Sequence, residues 1–497
     1  MADHEHQPRG AEEPLRAVRI GKRDSLKALG IDPYPYSFDR THEAAFLEHR
    51  YEGLAPGSET GDVVRVAGRI RAMRNSGMFI DLYDVSGKIQ IFCHRDLLGP
   101  EAVGVLRLLD IGDVIGVEGL VRRTPRGELT VNAKTIAVLA KTLRPLPEKY
   151  HGLADIELRY RQRYLDLIMN PESRDTLRRR SRVVAAIRRH LVERGYVEVE
   201  TPMLHSVPGG ASAKPFVTHH NALDIDLFLR IAPELHLKRL LVGGFADKLF
   251  EINRCFRNEG ISPRHNPEFT TLELYEAYVD YTAMMALTEE LVTAVAEAVL
   301  GTLRLSYGGT TIDLSPPWPR RSMAELVHAA TGVDFLALAD ALAARKAADA
   351  LGAVLIGNES WGQALEAAFA ARVEDTLIQP VHVTGFPRDI SPLAKADRND
   401  PRLVERFETY IHGWEIANAF SELTDPQDQR ERFEAQMRAR AAGDEEAQPL
   451  DEDYVTALEY GLPPCGGLGI GIDRLVMLLT DSASIRDVIA FPTLRPR

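Results

Sequence analysis

The chain has 497 residues, 45% of them hydrophobic and 27% charged, which is the profile of a soluble globular protein with two or three domains. The polar N-terminus predicts no signal peptide, and no run approaches the ~20 apolar residues of a membrane helix. Three widely spaced cysteines predict neither disulfides nor a metal site, so a reducing, cytoplasmic location is expected, and the formal net charge of −12 means that a nucleic-acid partner would need local basic patches.

The first part of the chain combines a basic helix with a run of short strands. Residues 14–29 have the period of a basic amphipathic helix, either a solvated surface helix or an arm that contacts phosphates. Over residues 62–139, three strands, a short helix and two further strands are separated by turns such as Asn75-Ser76-Gly77. This order is typical of an OB-fold barrel, a common binder of single-stranded nucleic acid.

A charged, proline-containing connection over residues 140–165 leads into the rest of the chain. There, strands and helices mix without βαβ regularity, which predicts an α+β domain with an antiparallel sheet. Residues 322–376 are alanine-rich with a helical period and indicate an inserted helical subdomain. The predicted domains are an N-terminal helical extension at 1–58, an OB-fold at 59–145 and a large α+β domain at 146–497.

The most heavily charged stretch is RCFRNEGISPRHNPEFTTLELY, at 254–275, where two half-buried strands enclose a loop stiffened by prolines. The strand period of two brings four side chains together on one polar face, namely Arg257, Glu259, Glu273 and Tyr275. Guanidinium groups suit phosphate and carboxylate, so one interpretation is an anion site in which Phe269 stacks on a base. The alternative is a surface hairpin with a lattice of salt bridges.

A second stretch, GLGIGIDRLVMLLT at 467–480, places three glycines on one face of a strand. Missing side chains let a ligand approach closely, although tight packing alone would also explain them. A helix beginning near Asp473 places Arg474 beside the positive helix end, where a phosphate is favoured. The dinucleotide-binding fingerprint does not apply, because it needs glycine at 472, where Ile stands, and no βαβ unit surrounds it.

The stretch RFETYIHGWEIANAFSEL, at 406–423, can form a hairpin with a two-residue turn at His412-Gly413. If residue 410 faces residue 415, Glu408 and Glu415 are diagonal neighbours on one face. Two nearby carboxylates repel each other, shift a pKa or share a divalent cation, and Mg²⁺ held by carboxylates and substrate phosphates would suit a nucleotide site. Two solvated glutamates on an exposed strand are the alternative.

Two other features are ordinary in isolation. Glu234 follows Pro233 in RIAPELHLKRL and has the position of a first-turn helix carboxylate, and PGGASAKPF at 208–216 is a glycine-rich turn.

Taken together, these stretches resemble the bacterial class II lysyl-tRNA synthetases. FRNE with RHNPEFT resembles motif 2 of class II aminoacyl-tRNA synthetases, GLGIGIDR resembles motif 3, and GYVEVETPML resembles motif 1, the dimer-forming element. An OB-fold ahead of the catalytic domain is the arrangement of the aspartate, asparagine and lysine subgroup, and PGGASAKPF, APELHLKRL and SELTDPQDQ are similar to the lysine enzyme. The resemblance implies an α+β catalytic domain on an antiparallel sheet flanked by helices, a cytoplasmic homodimer, and tRNA(Lys), ATP and L-lysine as substrates.

The resemblance also implies roles for individual residues. ATP would be held by Arg257, Glu259, His265, Asn266, Phe269, Glu408, Glu415 and Arg474. In this set Arg257, Glu259 and Arg474 would be catalytic, and Glu408 and Glu415 would coordinate Mg²⁺. Lysine would be bound by Gly210, Glu234, Arg257, Glu273, Tyr275, Asn418 and Glu422. In the barrel, the anticodon would be contacted by Phe79, Gln90 and Glu128.

Three rival interpretations can be compared with these residues. An aspartate or asparagine synthetase would need a basic or amide-rich pocket, which the pair Glu273 and Glu422 opposes. A ligase that attaches lysine to a protein would lack the barrel. A catalytically inactive RNA-binding relative would have lost at least one of the residues expected to bind ATP, and Arg257, Glu408 and Arg474 are all present.

Overall fold

The computed structural model describes residues 9–147, 153, 155–441 and 447–496. The chain forms two compact units, Met1–Gly152 and Leu153–Arg497. Among the helices in the described ranges, none is long and apolar enough to cross a membrane.

The first unit is built around a closed five-stranded barrel with the strand order β1-β2-β3-β5-β4. Its elements are α1 (Arg9–Ala28), α2 (Ala44–Arg50), β1 (Glu59–Arg74), β2 (Phe79–Tyr83), β3 (Lys88–Phe92), α3 (Arg95–Leu106), β4 (Val114–Arg123) and β5 (Leu129–Ala140). Strands β3 and β5 are parallel, and the other neighbours are antiparallel. Along β3 the apolar Ile89 and Ile91 are buried while Gln90 is half-buried, as a period of two requires. The predicted OB-fold is confirmed.

Helix α1 confirms the predicted basic helix and is anchored within the first unit by its cations. The Arg19 guanidinium donates to Thr142 Oγ1 at 2.7 Å and to the carbonyl of Ile111 at 3.0 Å. The Lys22 ammonium lies 2.6 Å from Asp110 Oδ1. The Lys22 charge is therefore neutralised inside the unit, and the Arg19 guanidinium is held there by neutral oxygens.

The second unit is an α+β domain on an eight-stranded, mainly antiparallel sheet with the order β14-β15-β16-β17-β18-β11-β10-β6. Its strands are β6 (Val197–Glu198), β7 (Leu204–His205), β8 (Val217–His220), β9 (Ile225–Leu229), β10 (Lys248–Phe256), β11 (Glu268–Ala277), β12 (Arg304–Tyr307), β13 (Thr310–Asp313), β14 (Arg320–Ser322), β15 (Val381–Pro387), β16 (Leu403–Ile411), β17 (Trp414–Ser421) and β18 (Cys465–Gly471). Strands β7, β9 and β8 form a small separate sheet, as do β12 and β13.

Some helices of this unit pack on the sheet, and others form the region predicted as an insertion. They are α4 (Ile156–Arg161), α5 (Arg163–Met169), α6 (Pro171–Glu193), α7 (Glu234–Val242), α8 (Tyr281–Leu300), α9 (Met323–Thr331), α10 (Ala341–Ala350), α11 (Trp361–Arg372), α12 (Pro426–Ala441), α13 (Glu452–Glu459), α14 (Ile472–Thr480) and α15 (Ile485–Val488). Helices α9, α10 and α11 lie in the alanine-rich region and share a hydrophobic cluster with β15 and β16.

The largest core lies between one face of the sheet and helices α6, α8 and α14. Leu272 and Leu274 of β11 point into this core, whereas Glu273 and Tyr275, one residue out of phase with them, line a cavity on the opposite face. Alternation along β11 therefore decides which side chains are structural and which reach the cavity.

Candidate active site

A cavity of about 610 Å³ lies against the polar face of the sheet. Its lining includes every residue that the sequence predicted for ATP and lysine: Gly210, Glu234, Arg257, Glu259, His265, Asn266, Phe269, Glu273, Tyr275, Glu408, Glu415, Asn418, Glu422 and Arg474. The structure thus brings together side chains that are up to 264 positions apart (474 minus 210). Which ligand each of them contacts stays a prediction.

The hairpin of β10 and β11 places one uncompensated cation in this cavity. The strands pair in register, with Glu251 opposite Glu273, and the pairing continues through a hydrogen bond from the Arg257 amide to the Pro267 carbonyl at 2.9 Å. The Arg257 guanidinium lies 5.0 Å from the centre of the Phe269 ring. In the described part of the chain it has no ion pair, and its buried Nε has no hydrogen-bond partner. A half-buried guanidinium whose Nε is buried without a partner is suited to an anionic ligand.

One end of the cavity is strongly acidic. Glu234, Glu273 and Glu422 are grouped there, with the buried Tyr275 beside them. Burial and then the charge of Glu234 raise the pKa of Glu273 to about 8. Burial likewise raises the pKa of Glu234 and that of Glu422. Such a group of desolvated carboxylates favours a cationic ligand, because a cation lets all of them ionise.

The glycines of β18 make room for this acidic end. A β-carbon at Gly467 would overlap Oε1 of Glu422 and lie 2.6 Å from Cε1 of Tyr275. A β-carbon at Gly469 would meet nothing closer than 3.7 Å. Of the two explanations offered by the sequence, tight packing therefore applies at Gly467, whereas at Gly469 an added β-carbon would make only ordinary van der Waals contacts.

A second pair of carboxylates, Glu408 and Glu415, lies in the same cavity. Tyr410 pairs with Glu415 as expected, but the register shifts between Thr409 and Tyr410, so Glu408 lies opposite Asn418. Burial and the charge of Glu415 raise the pKa of Glu408 to about 7. Glu408 accepts hydrogen bonds from Arg406 at 2.5 Å and from the Tyr410 hydroxyl at 2.7 Å.

The start of α14 orients the arginine predicted to bind phosphate. Asp473 accepts hydrogen bonds from the Thr270 amide at 2.7 Å and from Arg180 at 2.5 Å, which fixes the first turn of the helix to β11 and α6. Arg474 is then directed to the cavity, where it donates to the carbonyl of Glu415 at 2.8 Å and to its carboxylate at 3.1 Å. The two predicted residues are therefore paired with each other.

The loop between β10 and β11 contributes polar groups from the cavity rim. His265 Nδ1 lies 2.9 Å from Ser262 Oγ, and burial followed by the charge of Arg474 lowers the pKa of His265. Asn266 donates to the Glu268 carbonyl at 2.6 Å, while its buried Oδ1 has no partner among the described residues. Glu259 is exposed at the rim.

In the first unit, the residues predicted to contact the anticodon lie on neighbouring strands. Phe79 of β2 is paired with Phe92 of β3, and the ring centres are 5.0 Å apart. Gln90 accepts a hydrogen bond from Thr130 at 3.1 Å, and Glu128 lies 2.5 Å from the Lys88 ammonium. Aromatic and polar groups thus alternate across one outer surface of the barrel, as in other surfaces that bind single strands.

Several residues of these two sites were not predicted from the sequence. Lys238 contacts both Glu234 and Glu422, and Arg406 lies 3.1 Å from the Asn418 side chain. Arg122 stacks on Phe92, with 4.6 Å to the ring centre. Two signals were available: Lys238 stands one helical turn after Glu234, and Phe92 shares the strand period of Gln90.

Comparison with known proteins gives two family matches. A family model described as tRNA synthetases class II (D, K and N) matches residues 155–495, which includes every element of the cavity. A model described as an OB-fold nucleic acid binding domain matches residues 64–139, which contains nearly all of the barrel.

Curated relatives match the chain over almost its whole length. A lysine–tRNA ligase of Carboxydothermus hydrogenoformans is 56% identical over 485 residues, covering 97% of this chain and 98% of the relative. A lysine–tRNA ligase of Sinorhizobium medicae is 54% identical, with 98% of each chain covered. One from Thermosynechococcus vestitus is 55% identical over 495 residues, covering 98% and 97%.

Proposed function

Because this chain belongs to the class II tRNA synthetases of the aspartate, lysine and asparagine group, we propose that its cavity activates L-lysine with ATP. The products of that step are lysyl-adenylate and pyrophosphate, and the lysyl group is then transferred to the 3′ end of tRNA(Lys). The observation that supports the choice of lysine is the acidic end of the cavity, formed by Glu234, Glu273 and Glu422. Arg257 also lines the cavity and has no ion pair among the described residues.

The cavity distinguishes lysine from its competitors by charge. Gly210 and Glu234 bind the α-ammonium group, while Glu273, Tyr275 and Glu422 surround the ε-ammonium group, with Asn418 beside them. An apolar amino acid would leave these buried carboxylates unpaired, at a cost of at least ~1–3 kcal/mol for each lost interaction. An acidic amino acid would add repulsion, so both classes are rejected at the binding step.

The chemistry needs no general base, because the nucleophile is the carboxylate of lysine and is already ionised. Arg257 holds this carboxylate and the α-phosphate, so attack at the α-phosphorus forms the mixed anhydride and releases pyrophosphate. Phe269 stacks on adenine, His265, Asn266 and Glu259 hold ATP, and Arg474 binds its γ-phosphate end. Catalysis then consists of positioning and charge neutralisation.

Mg²⁺ suits the donor set at the phosphate end of the cavity. Glu408 and Glu415 lie close enough for the charge of Glu415 to raise the pKa of Glu408. A divalent cation bound between them would lower that pKa again. Each carboxylate keeps free lone pairs beside its hydrogen bonds, and Mg²⁺ takes one or two carboxylates together with substrate phosphates. Mg²⁺ would neutralise phosphate charge there.

Transfer begins when a ribose hydroxyl of the tRNA attacks the carbonyl carbon of the adenylate, and AMP leaves. In the barrel, Phe79 provides a stacking surface for an anticodon base, and Gln90 and Glu128 provide hydrogen-bonding groups. A base stacked on an aromatic ring contributes ~1–3 kcal/mol.

The catalytic unit also has a surface suited to a second copy of the chain. Among the described strands, β6 forms an edge of the large sheet, and five apolar side chains of β6 and of the small sheet β7-β9-β8 or the residue before it are exposed: Val197, Met203, Leu204, Val217 and Ile225. An isologous homodimer that buries this surface would cover both the free backbone groups of the strand edge and the exposed apolar side chains. The three cysteines are free and buried, which suits a reducing cytoplasm. Sedimentation analysis would test the dimer.

The decisive experiment is amino-acid-dependent ATP–pyrophosphate exchange with all twenty amino acids and ornithine, with and without Mg²⁺. Exchange with lysine alone, lost in Arg257→Ala and without Mg²⁺, is expected. Exchange driven by another amino acid would refute the specificity, and no exchange with any would favour an inactive relative. Charging of tRNA(Lys) is the second readout.

A further inference from the structure

The acidic end of the cavity already contains an ammonium group that belongs to the protein. Lys238 lies on α7, four residues after Glu234, and its Nζ is 2.5 Å from Glu234 Oε1. The same Nζ contacts Oε2 of Glu422. The Lys238 side chain is fully buried, and so is that of Glu422. One lysine therefore joins the two carboxylates proposed to receive the two ammonium groups of the substrate.

The surroundings of Lys238 stabilise its charge and keep water away. Its Nζ lies 5.4 Å from the ring centre of Phe420 and 5.9 Å from that of Tyr275. Burial alone would lower the pKa of Lys238, but Glu234 and Glu422 outweigh it and hold the pKa well above its ordinary value. The other titratable or charged groups that face this cluster are Arg230, Glu251, Arg257, Glu273, Tyr275, Arg406, Tyr454 and Cys465.

The charge count of the cluster matches lysine only if Lys238 is included. When all three are ionised, Glu234, Glu273 and Glu422 carry three negative charges and Lys238 one positive charge, which leaves a net charge of −2. Arg230 and Glu251 form their own buried pair at 2.7 Å and cancel. Lysine brings two ammonium groups, and its carboxylate is compensated by Arg257. The filled site is then neutral, which a buried site requires.

We propose that Lys238 is a positioning residue that sets the specificity of the cavity for lysine, an inference that rests on the proposed function. In the empty cavity its charge keeps at least one of Glu234 and Glu422 ionised, so that this pair has at most one proton to lose when the substrate binds. It also fixes where Glu422 stands, because neither oxygen of this buried carboxylate has a hydrogen-bond partner among the described residues, and the ion pair of Oε2 with Lys238 anchors it.

A fixed Glu422 determines the length of side chain that the cavity accepts. Ornithine is one methylene shorter than lysine, so its ammonium group would stop short of a carboxylate that cannot move towards it. Without Lys238 the Glu422 side chain would be free to follow the shorter substrate. Lys238 would therefore allow the cavity to distinguish lysine from ornithine. These two amino acids carry the same net charge, so charge alone cannot separate them.

The test is Lys238→Met, which keeps the side-chain volume and removes the charge. Lys248→Met is the matched control, because Lys248 pairs with Glu276 at 2.7 Å and is not part of the cavity lining. In exchange assays from pH 6.5 to 8.5, the KM for lysine of the parent protein should fall by at most about a hundredfold per pH unit, since at most two of the three carboxyls lose a proton. In Lys238→Met the fall should be steeper, because the third carboxyl then also carries a proton. Its preference for lysine over ornithine in kcat/KM should drop at least fivefold.

The outcomes separate this inference from the proposed function. If the parent protein shows no lysine-dependent exchange, the proposed function itself is wrong. If the parent is active and a folded Lys238→Met variant keeps the parent's pH slope and its preference for lysine over ornithine, Lys238 is only a packing residue and the inference is overturned.

A second measurement needs no variant, in case Lys238→Met does not fold. Calorimetry of lysine binding to the parent protein at pH 7, in buffers of different ionisation enthalpy, gives the number of protons released. Release of no more than two protons is expected, because Lys238 keeps at least one of the three carboxylates ionised. Release of three would overturn the inference.

Discussion

A β-carbon on Gly467 would overlap Oε1 of Glu422, so these two residues coexist only because residue 467 has no side chain. Glu422 cannot withdraw, since its other oxygen contacts the buried Lys238. The position of Glu422 at the acidic end of the cavity therefore requires a glycine in strand β18, although the two residues lie in separate stretches of the sequence.

Gly467→Ala is expected to damage the lysine site more than the fold. The added methyl group must displace Glu422 or Tyr275, so the KM for lysine in ATP–pyrophosphate exchange should rise at least tenfold while the KM for ATP changes little. Gly469→Ala on the same strand has space for its methyl group and should melt within a few degrees of the parent protein. Equal rises in both KM values would contradict this explanation.

Lysine binding should strengthen as pH rises through about 8. Burial and the charge of Glu234 raise the pKa of Glu273 to about 8, so this carboxyl is mostly neutral at pH 7 and must lose its proton to pair with an ammonium group. Glu273→Gln should bind lysine weakly and without this pH dependence. Titration calorimetry between pH 6.5 and 8.5 measures both.

The same raised pKa of Glu273 has a consequence for the stability of the empty protein. A carboxyl whose pKa is raised on folding stabilises the folded state fully below its unfolded pKa, and this contribution is lost as pH rises towards about 8. Thermal unfolding without ligand should therefore show stability that declines between about pH 5 and 8, and less so in Glu273→Gln. Saturating lysine should reduce the decline, and an identical decline in both proteins would contradict the assignment.

Glu408→Gln should increase the Mg²⁺ concentration needed for half-maximal exchange. The substitution keeps the hydrogen bond from Tyr410 but removes a charge from the proposed Mg²⁺ site, where affinity depends on carboxylate charge. We expect at least a tenfold shift. Glu431→Gln removes a charge from an exposed position of α12 and serves as the control. A shift of the same size in both variants would indicate a general effect of net charge.

Phe79→Ala should weaken tRNA charging and leave amino-acid activation intact. Loss of one stacked base costs ~1–3 kcal/mol, which corresponds to about a five- to 150-fold rise in the KM for tRNA(Lys). ATP–pyrophosphate exchange without tRNA should be unchanged, because Phe79 lies in the first unit. Phe92→Ala, on the paired strand, should have a similar effect. Loss of exchange in either variant would show that the barrel also supports activation.

The sequence by itself determined the barrel, the α+β class and the charged polar face of the β10–β11 hairpin, and its resemblance to the class II synthetases supplied the residues predicted to bind ATP and lysine. These depend on local signals that survive without a structure, namely the strand period of two, turn residues and motifs of fixed spacing. The alternation along β11 illustrates this, because it assigns Glu273 and Tyr275 to one face and Leu272 and Leu274 to the other.

Only the tertiary structure decided how these residues are paired with one another. The register shift beside Tyr410 placed Glu408 opposite Asn418, and Arg474 was found beside Glu415. Lys238 lies 184 positions before Glu422 (422 minus 238), and no periodicity relates two such positions. Burial and long-range charge pairing set the pKa values and the specificity of a site, and both arise only when distant segments pack together.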